Sequence, residues 1–393
     1  MKKEPKISSL LFIISFILIL VSISVTTTFA PKETYSYYEN RNLAGFPKMN
    51  AESVLSGQWG TDMDKYLTDH SAWREEMLIA DTVINAYFLK QPLVNDVIVT
   101  ENYLLPKIAD WMTNTSLIEE HAQSVTNNLL SAKEVTESYG GSYYCVAVPC
   151  QYVFYNDKYP WYLNNREEYT RLSMEALNKN MQNAGICFLD VGRTFQELGW
   201  PEYLASAIDN HYSIYGAYLT YLDIMNQIQA DHDWDLDILN EGEYQIRELP
   251  NPYLGANARK LMGIWPNEEH LGILEPNTQI PFVRKDNHQQ VASTVYSLPE
   301  DSQEDVLYSL YMGGDIALTE IDTGRGELPS ILIYGDSFTN AVECIAYYSF
   351  DKMYSIDQRH YTESTLEEFI AQHQPEIVVC IKDYEGLMYY TGE

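Results

Sequence analysis

Short, continuously apolar runs alternate with helix-patterned stretches over most of this chain, and that alternation limits the fold more than any other feature. Ser142 to Pro149, Ile186 to Val191, Ser330 to Tyr334, Lys352 to Ile356 and Glu376 to Ile381 read as strands, most with the unbroken apolar character of strands covered on both faces. Between them lie helical stretches. Ile118, Ala122, Val125, Leu129 and Ala132 recur at helical spacing, and Gly140-Gly141 ends that run. Arg166 to Ala184 is a second helix, closed by Gly185, and a third follows Ser337 to about Tyr348. Ser116-Leu-Ile-Glu119 and Ser364-Thr-Leu-Glu367 have the capping-box form, the latter opening a helix to His373. Strands and helices in this rhythm predict an α/β fold: a mostly parallel sheet with helices on both faces.

Two regions depart from the rhythm. Residues 231–329 are rich in Asn, Asp, Glu, Gly and Pro, with short alternating pieces such as Gln290 to Tyr296, and are expected to be a β-rich insertion or elaborated loop, not an independent domain. Near the N-terminus residues 31–60 read as an extended lead-in containing Asn40 to Pro47, followed by two helices near 61–69 and 71–90, the second capped by Ser71.

The first thirty residues carry a targeting signal. Lys2, Lys3 and Lys6 precede an apolar run from about Leu10 to Val25, which predicts export through a signal anchor or a cleaved signal peptide. Pro31 directly after Ala30 disfavours cleavage, so a single-pass anchor is favoured, with everything beyond Ala30 on the extracytoplasmic side. Acids outnumber bases 56 to 25, a formal charge of −31, which excludes nucleic acid as an expected partner. A strongly acidic polymer would be repelled too, so a neutral one is preferred. The five cysteines are too few and too scattered for a disulfide scaffold or a zinc finger.

Chemistry-bearing residues gather at two places. Gly335-Asp336-Ser337 ends an apolar strand, where the hydroxyl of a Ser at a strand-to-helix turn sits beside free helix N–H groups able to stabilise an oxyanion. A plain turn with a helix cap would use the same residues. Asp209-Asn210-His211 has the spacing by which a carboxylate can orient an imidazole, just before a helix capped by Ser213. A polar capping loop is its plain alternative. Asp69-His70 is a second Asp–His pair, expected to be structural. Asp231 to Asp237 alternates acids but lacks the Gly and Glu of a calcium loop, so no metal is expected. Tyr152, Tyr155, Tyr159, Trp161 and Tyr162 form either a sugar-stacking wall or packing.

Together these landmarks resemble the SGNH/GDSL hydrolases, and in their order, Asp–His before Gly-Asp-Ser, the DHHW family and the alginate O-acetyltransferase (AlgX/AlgJ-like) proteins. The lead-in Glu39 to Ala44, the segment Asp69-His70-Ser71-Ala72-Trp73-Arg74, Asp209-Asn210-His211-Tyr212 with Gly216, Gly335 to Phe338 and Asp357-Gln358-Arg359 are similar to that family's motifs in that order. Where the family carries Trp after the His, this chain has Tyr212. The resemblance implies a three-layer, flavodoxin-like SGNH domain over 31–393 with permuted motif order and an insertion at about 231–329. It also implies a Ser337–His211–Asp209 triad that transfers acetyl groups to a cell-envelope or secreted polysaccharide, without a cofactor. The expected oxyanion donor is the Ser337 N–H. Gly335, Asp336, Asn340, Arg359 and Tyr212 are the further oxyanion or substrate candidates. A membrane-bound O-acyltransferase is the implied partner. An acetylesterase would use the same triad, and a non-catalytic scaffold binding glycan or an acyltransferase is the alternative of another class. An active triad requires Ser337 Oγ within hydrogen-bond reach of His211 Nε2.

Overall fold

The computed structural model describes residues 7–108, 114–163 and 166–389. They form two compact units, one up to Asn95 with Arg259–Trp265, the other Asp96–Ala258 with the chain from Pro266 onward.

In the first unit, helix α1 (Ile7–Phe29) contains a 21-residue stretch, Ser9–Phe29, of mean hydropathy 2.7, long and apolar enough to cross a membrane. Helices α2 (Ala51–Leu55), α3 (Gln58–Asp69) and α4 (Arg74–Val83) follow, and α4 runs into a π-helical turn over Ile84–Phe88. Ser71 does not cap α4 as expected. Its hydroxyl donates back to the Thr68 carbonyl, and the chain passes through a left-handed Trp73 (φ 57°) before the helix begins. Asp69 and His70 clamp the lead-in. Arg41 donates to both Asp69 carboxylate oxygens (2.6 and 2.9 Å), the Ala44 N–H donates to Asp69 (2.8 Å), and His70 Nε2 donates to the Ala44 carbonyl (2.8 Å).

The second unit is built on an eight-stranded sheet. In chain order its strands are β1 (Ser142–Val148), β2 (Cys187–Asp190), β3 (Val283–Asp286), β4 (Gln289–Gln290), β5 (Leu318–Asp322), β6 (Ser330–Gly335), β7 (Lys352–Asp357) and β8 (Ile377–Asp383). Their spatial order is β4-β3-β5-β7-β6-β8-β1-β2. The five strands from β7 to β2 are parallel, and β3 to β5 continue the sheet antiparallel. Each parallel strand predicted from an apolar run is present. Most residues of β1, β6 and β8 are fully buried, as two-sided coverage requires.

Helices cover both faces in two packing groups. One contains α5 (Ile118–Ser138), α7 (Glu167–Asn183), α11 (Leu366–His373) and α12 (Tyr384–Met388); the other contains α8 (Val191–Glu197), α9 (Ile214–Asp231) and α10 (Asn340–Ala346). The short α6 (Gln151–Phe154) directly follows β1. Strand β6 is central. The connection through α10 leads to β7 on one side, and the next, through α11, returns to β8 on the other. Ser337 therefore sits at the carboxyl end of β6 beside a change of winding direction, where ligands bind in open α/β sheets.

The segment 231–329 supplies part of this sheet as well as an antiparallel ribbon, Tyr244–Glu248 with Gly272–Pro276. The expected alternating strand at Gln290–Tyr296 is reduced to the short β4. It is joined to β3 by Asn287 and His288, both with positive φ, which is the two-residue hairpin geometry matching strand twist. Of the two expected capping boxes, the first is absent and the second is shifted. Asn114 caps a 3-10 turn and α5 starts at Ile118 without a side-chain cap, while the second box is Thr365 with Glu368, one residue later than read.

Candidate functional site

Two loops meet at the carboxyl end of β6. The first is the turn Gly335–Thr339 leading into α10. A Cβ on Gly335 would fall on the Ile381 carbonyl of β8, so only glycine lets β6 end this close to its neighbour. Asp336 shapes the turn: its carboxylate accepts from the Phe338 N–H (3.0 Å) and its carbonyl from the Thr339 N–H (2.9 Å). The Asn340 N–H reaches the Ser337 carbonyl (3.4 Å), and the Ser337 N–H itself has no acceptor among the described residues. Lys382 Nζ stands 3.8 Å from the other Asp336 oxygen.

The second loop carries Asp209 and His211 to the start of α9, where Ser213 Oγ caps the N–H groups of Tyr215 and Gly216 as expected. Asp209 is 1% exposed and His211 8%, while Ser337 is only half-buried. His211 Nδ1 donates to Asp209 Oδ1 at 2.6 Å, and its Nε2 meets Ser337 Oγ at 2.8 Å. A carboxylate can only accept, so the ring proton sits on Nδ1 and Nε2 is the acceptor for the hydroxyl. Burial works to raise the Asp209 pKa, but the charge and hydrogen bond of His211, with the N–H groups of Ala256 and His211, prevail and hold it at about 2. The carboxylate is thus ionised throughout the neutral range.

Ala256, Gly255 and Tyr308 also shape the site, and no local sequence motif marks them. The Ala256 N–H donates to Asp209 Oδ2 at 2.5 Å. Gly255 allows this approach, since a Cβ there would lie 2.5 Å from the Ile208 carbonyl oxygen. Tyr308 stacks flat on the His211 ring, centroids 3.8 Å apart and planes 5° apart, and Phe338 packs on the same imidazole at 4.8 Å. Tyr308 lies in the segment read as an insertion, and nothing in the surrounding pattern distinguishes it from the other tyrosines.

Tyr212 stands where the related motif has Trp. It is 2% exposed, stacks on Phe338 at 5.6 Å and donates its hydroxyl to the Phe338 carbonyl at 2.5 Å, tying the two loops together. Asn340 and Arg359 converge on Asp315: the Asn340 amide donates to it at 3.1 Å, and Arg359 bridges Asp315 (2.9 Å) and Asp357 (2.6 Å). Asp315, Asp357 and His360 could bring three ligand atoms together, but the Arg359 guanidinium is already ion-paired with both acids. At the two ends of the acidic run, Asp231 accepts from Tyr144 and Asp237 pairs with Arg325. In the aromatic group, Tyr152, Tyr155 and Tyr159 are buried packing, whereas Trp161 and Tyr162 are exposed.

Ser337, His211 and Asp209 thus form a connected hydroxyl–imidazole–carboxylate chain beside an available N–H, which can deprotonate an alcohol and bind a developing oxyanion.

No family model matches this chain, and no curated protein matches it. Solved structures do. Bacillus cereus PatB1, determined with a sulfonyl adduct, is 19% identical with a TM-score of 0.63, covering 76% of this chain and 97% of that one. A DHHW family protein from Eubacterium siraeum is 16% identical with a TM-score of 0.57, covering 76% and 94%. The chain shares its fold with these proteins, which is the fold the sequence landmarks implied.

Proposed function

We propose that this chain is an extracytoplasmic, SGNH-type O-acetyltransferase, in which Ser337 is the nucleophile, His211 the proton shuttle and Asp209 the residue that orients and charges the imidazole. The observation that carries this reading is the unbroken chain of contacts, 2.8 Å from Ser337 Oγ to His211 Nε2 and 2.6 Å from His211 Nδ1 to Asp209. A glycan-binding scaffold has no need of that alignment.

In the proposed reaction His211 takes the Ser337 proton as Oγ attacks the carbonyl carbon of an acetyl ester. The Ser337 N–H supports the oxyanion. Collapse breaks the ester bond, and His211 returns the proton to the leaving alcohol, leaving acetyl-Ser337. A sugar hydroxyl then gives its proton to His211 and attacks the acetyl carbon; the bond from that carbon to Ser337 Oγ breaks, and His211 passes the proton to Oγ, which restores the free serine and neutral imidazole. Water in place of the sugar would make the protein an esterase. The acceptor is a cell-envelope or secreted polysaccharide, reached from the outer face of the membrane through the N-terminal helix. A membrane-bound O-acyltransferase would supply the acetyl group. Tyr212 acts as the brace between the nucleophile and histidine loops, while Asn340 and Arg359 hold the wall around Asp315.

The test is the intact mass of the full chain after exposure to an activated acetyl ester, with turnover followed in parallel. An adduct of one acetyl group is expected, lost in Ser337→Ala, with turnover falling about 10⁴-fold or more in Ser337→Ala and His211→Ala. Turnover equal in wild type and both variants would sink the reading.

A further inference from the structure

A groove of roughly 910 Å³, within the range of small-ligand sites, opens on the β2 side of the sheet, away from the triad. Its walls come from residues after β1, from α7 and from α8, with Asp190 at the carboxyl end of β2. Because β6, β8, β1 and β2 are parallel neighbours, the groove lies along the same carboxyl-terminal edge of the sheet that presents Ser337. Three strand spacings separate β6 from β2, about 14 Å.

The groove combines aromatic surface with paired charges. Phe154 and Trp200 meet edge to face at 5.1 Å, and both are half-buried, so each keeps accessible surface. Lys158, Arg171 and Arg193 each stand within salt-bridge distance of an acid, at 3.0, 2.7 and 3.5 Å. Such a lining offers donors and acceptors in nearly balanced number without a strong field of one sign, which suits a polyhydroxylated, uncharged ligand better than a polyanion. Aromatic faces suit the C–H faces of sugar rings.

The floor is constrained. Tyr384 donates its hydroxyl to Asp190, and a Cβ on Gly192 would collide with that hydroxyl, so the start of α8 is locked against α12. Trp200 is held in the left-handed region at φ 53°, an unfavourable conformation for a bulky residue and one that recurs at ligand-binding positions.

We infer that this groove is a remote subsite for a neutral glycan chain, binding sugar units of the same polymer whose hydroxyl is presented to Ser337. The inference rests on the acyl-transfer reading of Ser337. Contacts distant from the reacting bond supply binding energy that orients the acceptor, so the groove would distinguish a polymer from a short sugar.

The full chain in nanodiscs, carrying Ser337→Ala, is titrated with cellohexaose, chitohexaose and, as a polyanionic comparator, hexagalacturonate. Hydrogen–deuterium exchange and calorimetry report binding. At least one neutral hexasaccharide is expected to protect the segments around Phe154 and 190–200. Its affinity should fall at least tenfold in Trp200→Ala and several-fold in the surface variant Arg193→Ala, which spares the packing. No protection of these segments by either neutral probe, protection unchanged by both variants, or preference for the galacturonate would overturn the inference. Turnover of the small activated ester, measured on Trp200→Ala and Arg193→Ala with Ser337 intact, separates the two claims. Turnover at the wild-type rate with no groove binding leaves the triad standing and removes the subsite. Groove binding without ester turnover in the wild type does the reverse, leaving a glycan-binding site but removing the acyl-transfer role on which the acceptor assignment depends.

Discussion

The chain holds two Asp–His pairs, and they have opposite occupations. In Asp69-His70 both side chains turn to the lead-in: the carboxylate is bound by Arg41 and the Ala44 N–H, and the imidazole donates to the Ala44 carbonyl. Each of these contacts faces the lead-in, so the pair is a clamp. In Asp209-Asn210-His211 one intervening residue lets the carboxylate turn back on its own imidazole, and the far ring nitrogen is left facing a serine. The residue types are the same. What differs is the partner of the carboxylate: an arginine makes it a structural anion, whereas an imidazole with a free second nitrogen makes it part of a proton relay.

The largest effect that would test this contrast is in the rate. Asp209→Asn should lower turnover of an activated acetyl ester about 10⁴-fold, because an amide no longer fixes the Nδ1–H tautomer. The melting temperature should move far less than the rate. If ester turnover survives Asp209→Asn, the relay is not the working unit. The counterpart, Asp69→Asn, should leave turnover per folded molecule unchanged and reduce unfolding free energy by about 1–3 kcal/mol, since Arg41 loses its charged acceptor and the Ala44 N–H its anion. A loss of turnover in the folded Asp69→Asn protein would erase the distinction between the pairs.

The backbone around Asp209 offers a sharper cut. Gly255→Ala should push the 255–258 segment off the Ile208 carbonyl and withdraw the Ala256 N–H from Asp209. A rate loss of roughly tenfold to a hundredfold is expected, with the serine and histidine both intact. Unchanged turnover would show that the imidazole alone is enough to hold the carboxylate.

Buried carboxyls also separate by pH. Asp209 is depressed to about 2, below its unfolded value near 4, so its stabilisation is fully present above pH ~4 and is lost as pH falls through about 2. Glu343 is as deeply buried, but burial pushes it up to about 7; the hydrogen bond from Ser355 and the charge of Arg284 act the other way without offsetting the desolvation. Its ionisation therefore costs stability as pH rises from about 4.5 through 7. Glu343→Gln should gain stability at pH 8 relative to its effect at pH 4.5, by about 3 kcal/mol in urea unfolding. The same effect at both pH values would mean that Glu343 ionises freely in the folded protein.

Why part of this was readable from the sequence follows from where each contact originates. The parallel strands were legible because two-sided burial leaves an unbroken apolar run, as in Ile377 to Ile381. Strands β3 and β4 were not, because they are short and largely exposed, and β5 mixes the buried Leu318, Thr319 and Ile321 with acidic residues, so it leaves no unbroken apolar run. Helix starts slipped by a residue or two, since Ser364 and Thr365 are equally good caps in isolation and only packing selects Thr365. In the site, Ser337 and His211 announce themselves through short local motifs. Ala256 and Tyr308 reach the site through the tertiary fold, and no local spacing marks an N–H or a stacking face that acts on a residue far back in the chain.

That last contact gives the finest comparison, because each histidine also has a tyrosine beside it. Tyr66 lies one helical turn before His70 and packs on it tilted by 48° at 4.5 Å, a contact that α3 makes by its own geometry. Tyr308 arrives from the far segment and lies parallel to His211 at 3.8 Å. Its buried hydroxyl has no hydrogen-bond partner among the described residues, so the ring face, and not the hydroxyl, is what the site uses. Tyr308→Phe keeps the face and should leave turnover within about twofold while costing little stability, because an unsatisfied buried hydroxyl is removed. Tyr308→Leu removes the parallel surface and should lower kcat about tenfold with KM for the small ester nearly constant, as a freer imidazole meets Ser337 Oγ less often in line. The same exchange at Tyr66 should lower the melting temperature slightly and leave kcat where it was. Equal kinetic effects of Tyr308→Phe and Tyr308→Leu would shift the role from the ring to the hydroxyl, and an effect of Tyr66→Leu on kcat would mean that the clamp and the relay are coupled after all.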